Sequence, residues 1–383
     1  MIKALDLFSG AGGFTLGLHQ AGISTIGAIE LDRFAVDTYK YNFPEIPIFH
    51  RDITSFSNDE LEGCFAGVDL IVGGPPCQGF SAAGPKQYGI IDDRNKLLME
   101  VVRACEVLSP KVCVIENVKG LLSGKVSKSN GALDLYISAM TNLGYVVNYQ
   151  VLQAADFGVP QWRERVFVIA HKKTERIPLI RGSFGGERAA WRTVGEALLD
   201  LPYIKSGEGN ELAQEYAFAP SCSYQKLMRV GSKHVYNHLA MNHTPRLIER
   251  FKHIDIGQSL VDAPKEHGQR VRNGQAIDAK KRFKMNNQRL SPDRHSLAIT
   301  ASFQSNFIHP ISHRNLTARE GARIQSFPDH HVFLGPRTLM SKSLLQKEGR
   351  LDELGLSQYN QIGNSVPPLL AKAVGQHIKK HLL

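Results

Sequence analysis

The sequence feature that most constrains the fold is a short apolar run that stops at two prolines. Leu70-Ile71-Val72 has the composition and the length of a buried β-strand. Pro75 and Pro76 cannot continue a sheet, because each lacks a backbone N–H and has a fixed φ. The predicted strand therefore ends here, and Cys77 follows just past its carboxyl end.

The position of Cys77 suggests a reactive thiol. In open α/β sheets, ligands bind outside the carboxyl ends of the strands, so a cysteine on this stiff turn is well placed to act as a nucleophile. A small buried cysteine beside an ordinary turn is the alternative. The following segment, 79–93, has few large apolar residues, which is typical of a loop that closes over a site.

Strand and helix patterns alternate through the first 170 residues, which predicts a mostly parallel sheet with helices on both faces. The predicted strands are 3–8, 24–29, 46–50, 70–72, 111–115, 145–152 and 166–170. Amphipathic helices are predicted between them, the clearest at 95–108 and 134–143. A closing helix, 369–380, is expected to return and cover the first strand.

Composition narrows the class of protein. The five cysteines are scattered, odd in number and without Cys-x-x-Cys spacing, which argues against a disulfide framework and against a zinc site. No apolar run is long enough to span a membrane, and an acidic residue at position 6 interrupts any signal-peptide core. A cytoplasmic location is expected.

Charge is distributed unevenly along the chain. From the lysine, arginine, aspartate and glutamate content, residues 1–170 have a net charge of −4, residues 171–300 have +9 and residues 301–383 have +5. The basic second half predicts a polyanionic partner, with a solvated basic surface as the alternative. The cluster Lys280-Lys281-Arg282-Phe283-Lys284 is a candidate nucleic-acid contact on the same grounds.

A glycine-rich turn follows the first strand and opens a helix. Its residues are Ser9-Gly10-Ala11-Gly12-Gly13, and Thr15 stands where the dinucleotide fingerprint requires a third glycine. Glu30 ends the second strand, 20 residues after Gly10, where an acid usually accepts ribose hydroxyls. Asp52, just past the third strand, is a weaker candidate for an adenine amino group. Surface acids are the alternative for both.

Three more charged residues suggest catalysis. Glu116 ends the central strand 111–115, and parallel pairing would place it beside Cys77 as an acid/base group. Arg163 and Arg165 alternate on one face of an extended segment and suit a phosphate or a carbonyl acceptor. An N-cap or a loop salt bridge is the alternative for Glu116. Structural pairing with Glu116 or Glu164 is the alternative for the two arginines.

Beyond Arg181 the regular alternation stops. Residues 182–186 have the composition of a linker, and the region to about residue 298 is loop-rich and basic. A helix is predicted over 316–327, with Thr317 as its N-cap and Glu320 in capping-box spacing.

Six motifs together resemble the DNA (cytosine-5)-methyltransferase family of the bacterial restriction–modification type. They occur in the order of that family and run from residue 5 to about residue 375. They are Asp6–Gly13, Gly74–Ser81 around Cys77, Glu116-Asn117-Val118, Gln161-x-Arg163-x-Arg165, Arg314–Pro328 and Gly363-Asn364-Ser365-Val366-Pro367.

The resemblance implies a Rossmann-like S-adenosylmethionine-dependent fold with a smaller, loop-rich target-recognition domain. The catalytic domain is expected at 1–184, completed by 357–383, and the target-recognition domain and hinge at 185–356. The expected catalytic residues are Cys77, Glu116, Arg163 and Arg165. The expected S-adenosylmethionine pocket comprises Phe8, Ser9, Gly10, Ala11, Gly12, Gly13, Glu30, Asp52, Pro75 and Asn364.

In the expected chemistry, Cys77 adds to carbon 6 of a flipped-out cytosine in duplex DNA. Glu116 would bond to N3 and the 4-amino group, Arg165 would hold O2, and Arg163 would brace Glu116 or the phosphate backbone. No metal is required. The protein is expected to be a monomer without a membrane partner, and a restriction endonuclease acting on the same site is a possible companion.

Three alternatives remain open. A tRNA cytosine methyltransferase would use the same chemistry, although the basic region 185–300 favours DNA. A catalytically silent DNA-binding relative would not need Cys77, Glu116 and Arg165. An amino-directed methyltransferase typically has an aromatic residue after Pro-Pro, where this chain has Cys77.

Overall fold

The computed structural model describes residues 1–76, 93–122, 131–174, 177–268, 286–338 and 342–383. The chain divides into two compact units. Unit one comprises Met1–Phe157, Arg163–Phe184 and Ser365–Leu383, and unit two comprises Gly158–Trp162 and Gly185–Asn364. The predicted catalytic domain ends at residue 184 and resumes at residue 357, whereas unit one ends at Phe184 and resumes at Ser365. The role of unit two in target recognition stays a prediction.

Short strands in unit two contrast with longer ones in unit one. The strands are β1 Lys3–Leu7, β2 Ser24–Glu30, β3 Ile48–His50, β4 Leu70–Gly73, β5 Val112–Asn117, β6 Val146–Gln153, β7 Gln161–Trp162, β8 Glu164–His171, β9 Gly209–Asn210, β10 His238–Leu239, β11 Gln288–Arg289, β12 Ser296–Leu297 and β13 Phe307–Ile308.

Helices separate the strands of unit one and supply much of the regular structure of unit two. They are α1 Gly13–Gln20, α2 Arg33–Asn42, α3 Asn58–Phe65, α4 Asp93–Leu108, α5 Ala132–Asn142, α6 Val194–Leu198, α7 Ser223–Met228, α8 Pro245–Lys252, α9 Phe303–Asn306, α10 Ala318–Ile324, α11 Lys342–Lys347, α12 Gln358–Asn364 and α13 Pro368–His381. Within the described residues, no helix is both long enough and apolar enough to span a bilayer.

Unit one is built on a seven-stranded sheet in the order β3-β2-β1-β4-β5-β8-β6. The pairings from β3 to β5 are parallel, and β8 is antiparallel to both β5 and β6. Every residue of β4 and β5 is buried, as their apolar sequences predict. The predicted α/β, doubly wound, mostly parallel sheet is confirmed.

Helices cover both faces of this sheet. One face carries a core in which Ile71 and Cys113 pack with side chains of α3, α4 and α5. On the other face, Phe14 of α1 makes an edge-to-face contact with Phe167, whose side chain points opposite to those of its strand neighbours. Helix α13 packs closely against α1, because Gly17 carries no side chain where Ala371 approaches. The closing helix therefore returns to the first βα unit, as predicted.

Unit two is held together largely by buried arginines. Arg323 is fully buried and binds Asp329 at 2.6 Å and Asp200 at 3.0 Å. Arg314 binds Glu320 through two hydrogen bonds of 2.7 and 2.8 Å. Thr317 caps α10, and its capping box with Glu320 is present as predicted. Buried, paired charges of this kind fix a unique packing in a unit that has little regular sheet.

A five-residue segment, Gly158–Trp162, belongs to unit two although it lies between two segments of unit one in the sequence. Its strand β7 pairs in parallel with β12. The buried amide of Gln161 donates to the backbone carbonyl of Ile324 at 3.1 Å and accepts from the backbone N–H of Ile299 at 3.0 Å. The segment is thus an integral part of the fold of unit two.

Candidate active site

The carboxyl ends of three neighbouring parallel strands bring the predicted motifs of unit one to one edge of the sheet. In the register of β1, β4 and β5, Leu7 pairs with Gly73, and Gly73 pairs with Ile115. The glycine turn follows β1, and the Pro75-Pro76 segment follows β4. Glu116 is the second-to-last residue of β5. This edge is where open α/β sheets bind ligands.

The glycine turn has the conformation of a close-approach site. Phe8, Gly10 and Gly12 all have positive φ values, of 57°, 53° and 83°. A positive φ is costly for phenylalanine, and such strain clusters at functional sites. A side chain added at Gly10 would meet no atom of the described residues within 4 Å, so among these residues the backbone there borders open space. The turn can therefore admit a ligand directly against its backbone.

A second observation at this turn fits a bound cofactor. The Ser9 hydroxyl is buried and has no hydrogen-bond partner among the described residues. A buried hydroxyl without a partner is destabilising unless a ligand or water satisfies it. S-adenosylmethionine carries amino, carboxylate and ribose groups that suit this position, and helix α1 begins at Gly13 immediately after the turn. The residues present therefore fit that cofactor.

Glu30 holds the same turn from the neighbouring strand. Its Oε2 accepts from the backbone N–H of Gly10 at 2.8 Å, and its Oε1 accepts from those of Leu31 and Asp32 at 2.8 and 2.7 Å. Burial raises the pKa of Glu30 above its usual value, and the backbone hydrogen bonds act in the opposite direction. The carboxylate thus shapes the turn, and its predicted bond to ribose hydroxyls stays a prediction.

Asp52 stabilises the start of a short helix. It is the N-cap of a short 3-10 helix, Ile53–Ser55, and its Oδ1 accepts from the backbone N–H and the hydroxyl of Thr54 at 2.9 and 2.8 Å. The residue lies after β3, as the sequence predicted. Its contact with an adenine amino group stays a prediction.

Glu116 and Arg165 form a direct ion pair. Arg165 Nε lies 2.9 Å from Glu116 Oε1, and both side chains are largely buried. A side chain at Gly74 would lie 3.7 Å from Glu116 Oε2, so the carboxylate faces the start of the Pro75-Pro76 segment. Burial raises the pKa of Glu116 despite the opposing charges of Arg165 and Arg163. Burial thus favours the protonated form of this carboxyl group.

Arg163 is the other arginine of this segment, and the ion pair with Glu116 at bonding distance is made by Arg165. The expected bracing of Glu116 or of the phosphate backbone by Arg163 stays a prediction. Arg163 is buried, its backbone N–H donates to Gln153 Oε1 at 2.6 Å, and its Nη2 lies 3.4 Å from the carbonyl of Ser365. Burial, together with the nearby charge of Arg165, lowers the pKa of Arg163. Arg163 is thus tied to Gln153 and Ser365 of unit one, and its catalytic role stays a prediction.

The sequence analysis did not single out two further residues at this edge. Asp6 is buried in β1 and accepts a 2.7 Å hydrogen bond from the Thr15 hydroxyl, which is 2.9 Å from the Tyr39 hydroxyl. Burial raises the pKa of Asp6 to about 7. An acid inside an apolar strand was the available signal. Asn117 donates a hydrogen bond to the Pro75 carbonyl at 3.0 Å, and no sequence pattern predicts this contact.

The remaining predicted residues have the following places. Ala11 and Gly13 are buried in the turn and at the start of α1, and Pro75 is buried after β4. Asn364 is exposed at the end of α12 in unit two. Cys77, nearly all of the predicted closing segment 79–93 and the basic cluster 280–284 lie outside the described residues. The assignment of each to the site stays a prediction.

The family model and the known proteins that match this chain are all methyltransferases by description. The model of the family described as C-5 cytosine-specific DNA methylase matches residues 2–380. The type II methyltransferase M.DdeI of Desulfomicrobium norvegicum is 44% identical over 98% of this chain and 88% of its own length. The type II methyltransferase M1.HphI of Haemophilus parahaemolyticus is 34% identical over 98% of this chain and 86% of its own length.

Solved structures support the fold. A prophage-encoded protein of E. coli, assigned as a DNA modification methyltransferase, superposes with a TM-score of 0.75 at 24% identity, covering 99% of both chains. The Dnmt2 methyltransferase of S. pombe superposes with a TM-score of 0.60 at 16% identity, again covering 99% of both chains. Together with the nearly full-length family match, these findings establish that the chain belongs to the C-5 cytosine-specific DNA methylase family and is a DNA (cytosine-5)-methyltransferase.

Proposed function

We propose that this enzyme methylates one cytosine within a specific duplex DNA sequence through a covalent Cys77 adduct, and that it protects host DNA in a type II restriction–modification system. The observation that carries the proposal is the buried Glu116–Arg165 pair at the sheet edge, facing the segment that leads to Cys77. The basic second half supports DNA as the polyanion, and the type II relatives support the protective role.

Carbon 5 of cytosine is a poor nucleophile, so the enzyme must activate it. Addition of the Cys77 thiolate to carbon 6 forms an S–C bond and makes carbon 5 electron-rich. Family membership implies S-adenosylmethionine, which supplies an electrophilic methyl group when bound. After carbon 5 accepts the methyl group, a base removes the carbon 5 proton, and the S–C bond breaks to release Cys77.

Glu116 and Arg165 suit complementary tasks in this reaction. Because its pKa is raised, Glu116 can keep a proton and donate it toward N3 of cytosine as negative charge develops on the ring. Arg165 lies beside it and would bind the O2 oxygen. The target atom is inaccessible inside a duplex, so the base has to flip out, at a cost of a few kcal/mol.

The cofactor is proposed to lie against the glycine turn. The open space at Gly10, the unsatisfied Ser9 hydroxyl and the strained Phe8 support this position. Glu30 would reach the ribose with lone pairs that its three backbone hydrogen bonds leave available, since a carboxylate accepts about four hydrogen bonds. Asp52, Pro75 and Asn364 complete the proposed pocket.

Bisulfite sequencing of a host genome tests the whole proposal. Cells would express wild type, Cys77→Ser or Glu116→Gln, each at matched soluble levels. Protected cytosines at one short motif are expected with wild type and are expected to be absent with Cys77→Ser. Glu116→Gln is expected to lower protection at least 100-fold, because the amide cannot transfer a proton to N3. A companion endonuclease would be expected to spare DNA from the wild-type host.

Two results would contradict the proposal in different ways. Protection that survives Cys77→Ser would refute the covalent mechanism while leaving DNA as the substrate. Soluble wild-type protein that protects no cytosine in the genome, yet transfers methyl groups to tRNA, would refute DNA as the substrate.

A further inference from the structure

Asn117 makes two hydrogen bonds that tie the ends of β4 and β5 together. Its Nδ2 donates to the backbone carbonyl of Pro75 at 3.0 Å, and its Oδ1 accepts from the backbone N–H of Val118 at 2.8 Å. The side chain is 6% exposed, so water does not compete strongly for either bond. Both ends of the amide are therefore committed to backbone groups.

The need for this side chain follows from the two prolines. The parallel backbone pairing of β4 and β5 is recorded as far as Gly73 opposite Ile115. Continued in the same register, Gly74 would stand opposite Glu116 and Pro75 opposite Asn117. Neither Pro75 nor Pro76 has an N–H to donate, so the backbone ladder cannot continue through them. The Asn117 amide instead donates to the Pro75 carbonyl and so joins the two strand ends where the backbone pairing stops.

We propose that Asn117 is a positioning residue that fixes the direction in which the chain leaves β4 and thereby sets the position of Cys77 relative to Glu116. The inference rests on the proposed function, because it concerns the proposed nucleophile. Pro75 lies two residues before Cys77, so the two Cα atoms can be at most about 7 Å apart. Glu116 is the residue directly before Asn117. The end of β5 therefore carries both the acid and the amide that binds Pro75.

Only a carboxamide satisfies both backbone groups at once. Aspartate has the same shape, but its ionised carboxylate offers no donor and turns an oxygen toward the Pro75 carbonyl. Protonated aspartate has one O–H and can restore the bond. Asn117→Asp should therefore be impaired at high pH and recover as the pH falls, relative to wild type.

The first measurement is steady-state methyl transfer to bulk genomic DNA by wild type, Asn117→Asp and Asn117→Ala. We expect kcat to fall 10- to 1000-fold in both variants, with KM for S-adenosylmethionine within about twofold, because near-attack geometry is lost while the cofactor turn is untouched. The Asn117→Asp deficit is expected to shrink at least threefold between pH 8 and pH 6.

Gln150 supplies a matched control in the same unit. Its side-chain amide also bridges a backbone N–H and a backbone carbonyl, both of Ile180, at 3.0 and 2.9 Å. Gln150→Glu removes the donor as Asn117→Asp does, but on β6 rather than at the ends of β4 and β5. We expect kcat of Gln150→Glu within twofold of wild type at every pH.

The second measurement is the rate at which Cys77 forms a covalent adduct with DNA. Duplex DNA made with 5-fluorocytosine traps the covalent adduct, because the fluorine at carbon 5 cannot leave as a proton does. Trapping by Asn117→Asp is expected to slow in proportion to kcat, per mole of protein that melts cooperatively. Trapping at the wild-type rate would overturn the inference, as would a kcat loss equal to that of Gln150→Glu.

Failure of the inference is distinguishable from failure of the proposed function. If Cys77→Ser forms no adduct while Asn117→Asp and Asn117→Ala both trap at the wild-type rate, only the positioning role fails. If Cys77→Ser methylates DNA normally, the covalent mechanism fails first. Should Asn117→Ala not fold, Asn117→Asp at pH 6 still decides the question.

Discussion

Unit one and unit two both bury carboxyl groups, but the pKa values of these groups are shifted in opposite directions. In unit one, burial raises the pKa of Asp6, Glu30 and Glu116, and only Glu116 has an arginine at bonding distance. In unit two, burial also acts to raise the pKa values of Glu320 and Asp329, but buried arginines more than offset it and lower both.

The difference separates two uses of buried charge. Fully paired carboxylates such as Glu320 cannot take up a proton near neutral pH, so they serve packing alone. Carboxyl groups with raised pKa values can exchange protons with a ligand, which is the property an active site requires. The raised pKa values of unit one therefore agree with the proposal that the chemistry takes place there.

The largest effect is expected from removing an arginine of unit two. Arg323→Met leaves the buried Asp200 and Asp329 without their shared cation, and breaking a buried pair costs about 3–5 kcal/mol. Urea unfolding at pH 7 measures the change. Arg350→Met is the matched control, because the Arg350 ion pairs are exposed, and no measurable change is expected. Equal destabilisation by both variants would contradict the importance of the buried pairs for the stability of unit two.

A smaller, pH-dependent effect is expected from Asp6→Asn in unit one. The folded pKa of about 7 exceeds the ordinary value of 3.8, so between these values the folded state binds a proton that the unfolded state lacks. Stability contributed by this group is present at low pH and is lost as the pH rises toward 7, by about 2 kcal/mol between pH 5 and pH 7. Asp6→Asn should flatten the profile in urea unfolding. Parallel profiles for wild type and variant would contradict the raised pKa.

The smallest effect is expected from Tyr39→Phe. The Tyr39 hydroxyl lies 2.9 Å from the Thr15 hydroxyl, at the far end of the chain of bonds that begins at Asp6. Its removal should cost about 1 kcal/mol, as for a single neutral hydrogen bond. The loss should be the same at pH 5 and pH 7 in the unfolding assay. A loss that grows with pH would indicate that Tyr39 shares in the titration of Asp6.

The sequence predicted the sheet well because its signals are local. Apolar runs and proline stops fixed the strands near their observed bounds, and the Thr317 capping box was readable from two residues. The contacts at the site were harder to predict. The pairing of Glu116 with Arg165 depends on side-chain direction across antiparallel strands, and the Asn117–Pro75 bond depends on a rotamer. The two-residue strands of unit two are too short for any periodicity.

The placement of Gly158–Trp162 in unit two has a consequence for recombination between related enzymes. A cassette of residues 185–364 moved between relatives would leave its own β7 behind, so its β12 would have to pair with the β7 of the recipient. A cassette that stops before Ser296 keeps β7 and β12 from the same enzyme. If unit two recognises the target, as predicted, viable exchanges of specificity should therefore have crossover points upstream of β12.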